Sequence, residues 1–171
     1  MKASDEPRGT RYDALVIGAG PAGTSAAAIL AEYGRKVLIV ERERFPRYRI
    51  GESLIPHCWF ALNRLGLVER LDAASFQVRK NSVQFASVDG RVSKPYYFFE
   101  RNDHPSSRTW QVVRADFDQF LLDNALAKGA RVEAVDWCRR LVATDPFNSR
   151  YVLRLMAAME AARAMGGDGR C

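Results

Sequence analysis

Residues 12–41 read YDALVIGAGPAGTSAAAILAEYGRKVLIVE, and this stretch decides the fold. A short apolar run closes with Val16 and Ile17, and Gly18, Gly20 and Gly23 follow in GxGxxG spacing. The order predicts strand, glycine turn, helix, strand, and then an acid, Glu41. In such a unit the first glycine makes the tight turn out of the strand. The second lets the backbone approach a diphosphate, and the third lets the helix lie close on the sheet. Pro21 is tolerated because the first helical residues have no intrahelical N–H bond to lose.

The spacing predicts a helix over 22–33, with Ala22, Ala26, Ala27, Leu30 and Ala31 on one face. Its free N–H groups and dipole suit a phosphate at the N-terminus, and Gly34 stops it. The run 37–40 reads as a buried parallel strand. Glu41 stands at its carboxyl end, about 20 residues beyond the turn, where an acid binds ribose hydroxyls. A carboxylate there repels a 2′-phosphate, so the pattern favours FAD or NAD over NADP, with Arg42 as the one neighbour pulling the other way.

The chain has 171 residues, enough for one domain with a core. Hydrophobic residues make up 47% and charged residues 27%, a globular composition. The net charge of +6 suits an anionic cofactor or a basic surface. The arginines are scattered and not interleaved with aromatics in a stripe, which argues against nucleic acid. Cys58, Cys138 and Cys171 have no ligand spacing, and His57 and His104 are too few for a histidine metal site, so no metal is expected. No run is long and apolar enough for a membrane span, and residues 1–10 carry no apolar leader, so the expected location is the cytoplasm.

Beyond Glu41, RERFPRYRI at 42–50 is a basic loop, from which Arg47 or Arg49 is placed to reach a diphosphate. A helix is predicted over 57–65 and a shorter one over 67–71. Then the pattern changes: Val83, Phe85 and Val88 alternate loosely, Asp89-Gly90 signals a hairpin, and 92–99 is β-prone, so an antiparallel pair is expected. A strand at 110–113, a helix over 115–128 and a strand at 131–135 follow. Phe117, Phe120, Leu121 and Ala125 share a face of that helix, and Asp116 and Asp118 sit in its first turn where the dipole favours them. This second strand–helix–strand implies a parallel pair with a right-handed crossover, returning to the nucleotide-binding sheet. In the tail, 151–155 reads as a strand and 156–165 as a helix.

Four stretches carry a resemblance: GAGPAG at 18–23, the acid at 41, FPRYRIGESLIP at 45–56 and QVVRADFDQFLLDNALAKGARV at 111–132. With them the chain resembles the N-terminal part of an FAD-dependent monooxygenase of the p-hydroxybenzoate-hydroxylase type, and within that group the flavin-dependent halogenases. The resemblance implies an α/β fold: a Rossmann-like FAD-binding domain with a parallel sheet, interrupted by antiparallel strands of an incomplete substrate domain. The segments would be 1–75 and 109–136 for FAD binding, 76–108 for the insert and 137–171 for a truncated or divergent tail. It implies that Gly18, Gly20, Pro21, Ala22 and Gly23 bind the FAD diphosphate and Glu41 the ribose, with Arg42, Arg49, Gly51 and Arg114 completing the cofactor set.

Lys80 stands before Phe85 at the interval of those halogenases' lysine, and the resemblance gives it the catalytic role of holding or capturing hypohalous acid. Reduced flavin, supplied by a partner reductase, and oxygen would then act on an aromatic or phenolic small molecule, free or tethered to a carrier protein. The family's Trp-x-Trp-x-Ile-Pro signature is absent. Three outcomes therefore stay open: a halogenase, a hydroxylase or reductase of the same fold, and a truncated dinucleotide-binding fragment without turnover.

Overall fold

A computed structural model describes residues 11–41 and 43–134. Arg42, the predicted tail elements, Cys138 and Cys171 lie outside the described residues. The elements in chain order are β1 (Ala14–Ile17), α1 (Pro21–Glu32), β2 (Val37–Glu41), α2 (Cys58–Arg64), α3 (Val68–Asp72), β3 (Gln77–Lys80), β4 (Ser82–Val83), β5 (Tyr96–Tyr97), β6 (Thr109–Val112), α4 (Arg114–Ala127) and β7 (Arg131–Ala134). The fold is mixed α/β, with one parallel sheet and separate antiparallel strands. The chain divides into two compact units, residues 1–48 with 118–171, and residues 49–117.

The first unit is built on the parallel sheet β1-β2-β7. Four consecutive residues of β2, Val37 to Val40, are buried, as a parallel strand covered on both faces requires. Ala14 pairs with Val37 and Ile17 with Val40; on the other side of β2, Leu38 pairs with Arg131. The chain thus returns to the parallel sheet through β7, as the sequence predicts.

Helix α1 packs on β1 and β2. Its buried residues are Thr24, Ala27 and Ala28, whereas Ala22 and Ala26 are exposed. The expected face is therefore corrected. An alanine-rich helix has little apolar contrast around its circumference, and the close approach of Gly23 to the sheet sets its rotation. A Cβ on Gly23 would overlap the Gly18 carbonyl oxygen and meet Val16 Cγ1 at 3.1 Å. Gly34, with φ of +74°, closes the helix by donating its N–H to the Ala31 carbonyl.

In the second unit β3 pairs antiparallel with β6, Lys80 opposite Thr109 and Gln77 opposite Val112. The other edge of β6 is taken by residues 52–54: Val112 N–H donates to the Glu52 carbonyl at 2.8 Å and Leu54 N–H to the Trp110 carbonyl at 3.0 Å. This overturns the expected parallel pairing of the strands around α4. Both edges of β6 are filled by local antiparallel partners, so β7 joins β2 instead. The antiparallel insert is present, with β4 on β5 and an Ala86–Val92 bridge below Gly90 at φ of +82°. Leu62, Leu65, Leu67 and Leu71 from α2, α3 and the loop joining them are buried, as is Trp110, whose Nε1 donates to Asp72 Oδ1 at 2.8 Å.

Candidate functional site

The residues singled out in the sequence fall into two clusters, one in each unit. In the first unit, Gly18 leaves β1 with φ of +95° and donates its N–H to the Val40 carbonyl at 2.7 Å. Gly20 caps α1 with φ of −74°, and no side chain caps that helix end. Around Gly20, the nearest atom that a Cβ would meet is Arg47 Nη2, at 3.8 Å. Pro21 opens the helix and Ala22 is exposed beside it.

Glu41 turns back toward this turn. Its Oε2 accepts from the Ala19 N–H at 2.8 Å and its Oε1 from the Glu43 N–H at 3.0 Å. Arg47 is buried against it, with Nη2 3.3 Å from Glu41 Oε2 and Nη1 2.6 Å from Asp118 Oδ2. The guanidinium also lies over the Phe45 ring, 4.4 Å from its centroid. Arg47 is therefore committed to two carboxylates, and its Nε is buried without a hydrogen-bond partner. Asp118 is wholly buried; α4 begins at Arg114 and only Asp116 lies in its first turn, so the expected first-turn place of Asp118 is corrected. The signal was available: Asp118, Leu121, Leu122 and Ala125 recur at helical spacing, which places the acid on the apolar face.

In the second unit Gly51 has φ of +110°. Arg114 Nη1 donates to the Ile50 carbonyl at 2.7 Å and lies 3.0 Å from where a Gly51 Cβ would sit. Arg49 is half-buried in the same unit. Lys80 ends β3. Its Nζ donates to Ser53 Oγ at 2.5 Å and to the Leu54 carbonyl at 2.7 Å, and stands 6.0 Å from the Phe98 ring centroid. Burial pushes the Lys80 pKa below the ordinary lysine value, while a negative charge on the Cys58 sulfur would work in the opposite direction. Ser53, Thr109 and Cys58 were not singled out as site residues in the sequence; the β6 register brings Ser53 and Thr109 to Lys80, and Cys58 stands at the start of α2.

Strand pleating sends Arg79 to the face opposite Lys80. There Arg79 pairs with Asp72 at 2.5 Å, beside a cavity of about 660 Å³ lined by Trp59, Asp72, His104, Arg108 and Trp110, among others. Lys80 does not line this cavity. Among the described residues no group of three or more His, Cys, Asp or Glu side chains could hold a metal ion, and no helix is long and apolar enough to cross a membrane.

A glycine turn at a helix N-terminus with an acid folded back on it defines a dinucleotide-binding α/β unit. The family model described as tryptophan halogenase matches residues 13–108, more than half of the chain, and the chain belongs to that family. It is 40% identical over 120 residues to the flavin-dependent halogenase armH3 of Armillaria mellea, covering 70% of this chain and 23% of that protein. It is 37% identical over 122 residues to the 1H-pyrrole-2-carbonyl-[peptidyl-carrier protein] brominase of Pseudoalteromonas luteoviolacea, covering 71% of this chain and 28% of that protein. Among solved structures it resembles the myxobacterial chondrochloren halogenase CndH, described as a variant of FAD-dependent halogenases. The TM-score is 0.65 at 37% identity, over 71% of this chain and 28% of that one. The chain thus spans about a quarter of the length of these relatives.

Proposed function

We propose that this chain is an FAD-dependent oxidoreductase of the halogenase type, acting with reduced FAD and oxygen on an aromatic or phenolic small molecule. The observation that carries the reading is the pairing of family membership with a Lys80 amine held in a fixed direction by Ser53 and Leu54. Bound reduced flavin would activate oxygen, and oxygen would supply the two oxidising equivalents that turn halide into hypohalous acid, leaving oxidised flavin and water.

The residues of the first unit fit the cofactor. At Gly20 the backbone is uncovered apart from Arg47 Nη2, 3.8 Å from where a Cβ would sit, and the end of α1 has no competing side-chain cap. The Glu41 carboxylate accepts from the Ala19 N–H of the turn through Oε2 and from the Glu43 N–H through Oε1, which sets the acid beside the turn. Gly18, Gly20, Pro21, Ala22 and Gly23 would hold the diphosphate and Glu41 the ribose; Arg42, Arg49, Gly51 and Arg114 complete the proposed set. Lys80 would hold hypohalous acid, donating from its ammonium group or meeting it as a free amine.

A flavin reductase is the proposed source of reduced FAD, and a carrier-tethered acyl group is a proposed form of substrate, because a relative is a carrier-protein brominase. The proposed compartment is the cytoplasm, in keeping with the few cysteines.

The test is reconstitution with FAD, followed by turnover with a flavin reductase, bromide or chloride, and phenol or carrier-bound pyrrole probes. A halogenated product that is lost in Lys80→Ala, with FAD affinity unchanged, is expected. Oxygenated product without halogen would replace this reading with a hydroxylase of the same fold. Failure to bind FAD would remove both.

A further inference from the structure

We propose that Ser53 is a positioning residue for Lys80: its hydroxyl and the Leu54 carbonyl tie down two of the three ammonium hydrogens, so that the third is presented to a ligand. The inference rests on the reading of Lys80 as the group that handles hypohalous acid.

The argument begins with register. Ser53 bridges antiparallel to Gln111, and Lys80 pairs with Thr109 on the opposite edge of β6. Residues two apart on a strand share a face, so Ser53, Gln111, Thr109 and Lys80 project from the same side. Lys80 reaches across β6 to the far edge, where its Nζ donates to both Ser53 Oγ and the Leu54 carbonyl. That carbonyl is itself held. Leu54 N–H is bonded to Trp110, and the fully buried Thr109 donates its hydroxyl to the Leu54 oxygen at 3.0 Å. Among the described residues the third ammonium hydrogen has no hydrogen-bond partner.

The two anchors are not equivalent. A carbonyl only accepts, whereas a hydroxyl accepts from an ammonium and donates to a free amine. Ser53 can therefore follow Lys80 through a change of protonation without releasing it. Bonds to the charged form are the stronger, so the net effect of the hydroxyl is to support the ammonium. The titratable neighbour that bears on Lys80 is Cys58 at the start of α2; Arg79 lies on the opposite face, and Glu52 accepts from the Gly51 N–H.

The experiment is competitive acetylation of the full chain with acetic anhydride across pH, reading Lys80 by mass spectrometry, with Cys58→Ser as the background. Ser53→Ala is expected to lower the Lys80 labelling midpoint by about 0.3 pH, and Ser53→Thr to leave it in place. An unchanged or raised midpoint in Ser53→Ala overturns the assignment. In turnover, Ser53→Ala is expected to lower kcat about two- to tenfold with KM and FAD affinity unchanged; an unchanged kcat overturns the positioning role. If Lys80→Ala retained halogenation, the functional reading would fall, while the labelling comparison would still decide whether Ser53 governs the amine.

Discussion

The Cα of Gly23 faces the carbonyl oxygen of Gly18 so closely that a methyl group on Gly23 would overlap it. The obstacle is backbone at the turn, so no side-chain rotation relieves it. Gly23→Ala is expected to destabilise the chain by about 1–3 kcal/mol, the range for overpacking a tight contact. Urea unfolding measures this; a loss below about 0.5 kcal/mol would mean that α1 shifts away freely.

Gly20 should behave in the opposite way. Its φ of −74° is open to any residue, and a Cβ there meets nothing closer than Arg47 Nη2 at 3.8 Å. Gly20→Ala is expected to cost under about 1 kcal/mol of stability yet weaken FAD binding at least about tenfold, or about 1.4 kcal/mol. Flavin fluorescence titration beside a melting curve separates the two effects. Equal affinity in the variant would show that the diphosphate does not approach this backbone.

Asp118 and Arg47 form a buried pair, with the aspartate at 0% and the arginine at 7% side-chain exposure. Removing one partner strands the other, so Asp118→Ala is expected to cost about 3–5 kcal/mol. The double variant Asp118→Leu with Arg47→Met should recover much of that loss, since apolar replacement of both partners leaves no buried charge. Chemical denaturation of the three chains decides it; a loss in Asp118→Ala below about 1 kcal/mol would show that water reaches the pair.

At the hairpin tip Asp89 has its pKa held below the ordinary 3.8 by hydrogen bonds from Ser87 first and then from Arg91. A depressed folded pKa contributes stability that is complete above the unfolded value and is lost as pH falls through the folded one. Hairpin order is therefore expected to survive at pH 5 and to loosen only in stronger acid. An NMR titration of Asp89 should show a midpoint below 3.8 that rises toward it in Ser87→Ala. Identical midpoints would remove the hydroxyl as the cause.

The parallel unit was legible because its grammar is local. Gly18 and Gly23, the buried run of β2 and Glu41 each declare themselves within one βαβ unit. The partner of β6 was not legible, since Trp110 and Val112 suit a parallel or an antiparallel neighbour equally; what decides is the GES segment occupying the second edge. Lys80 was singled out by resemblance, but its hydrogen-bond partners were not. Ser53 and Thr109 are small polar residues far apart in sequence, and they meet at one carbonyl only after β3, β6 and residues 52–54 are in register. Asp118 was placed in the first turn because the helix start was set one residue late, and its place on the buried face was not drawn out.

Arg79 and Lys80 are consecutive cations with different occupations, one tied to Asp72 and the other to Ser53 and Leu54. Parity along β3 alone keeps them apart. Deleting one residue upstream within that strand, with the ladder otherwise preserved, would exchange them: the guanidinium would swing to the serine side and the amine would be left beside the aspartate. Such a frame-shifted ribbon would keep its charge while moving the amine away from Ser53 and the Leu54 carbonyl.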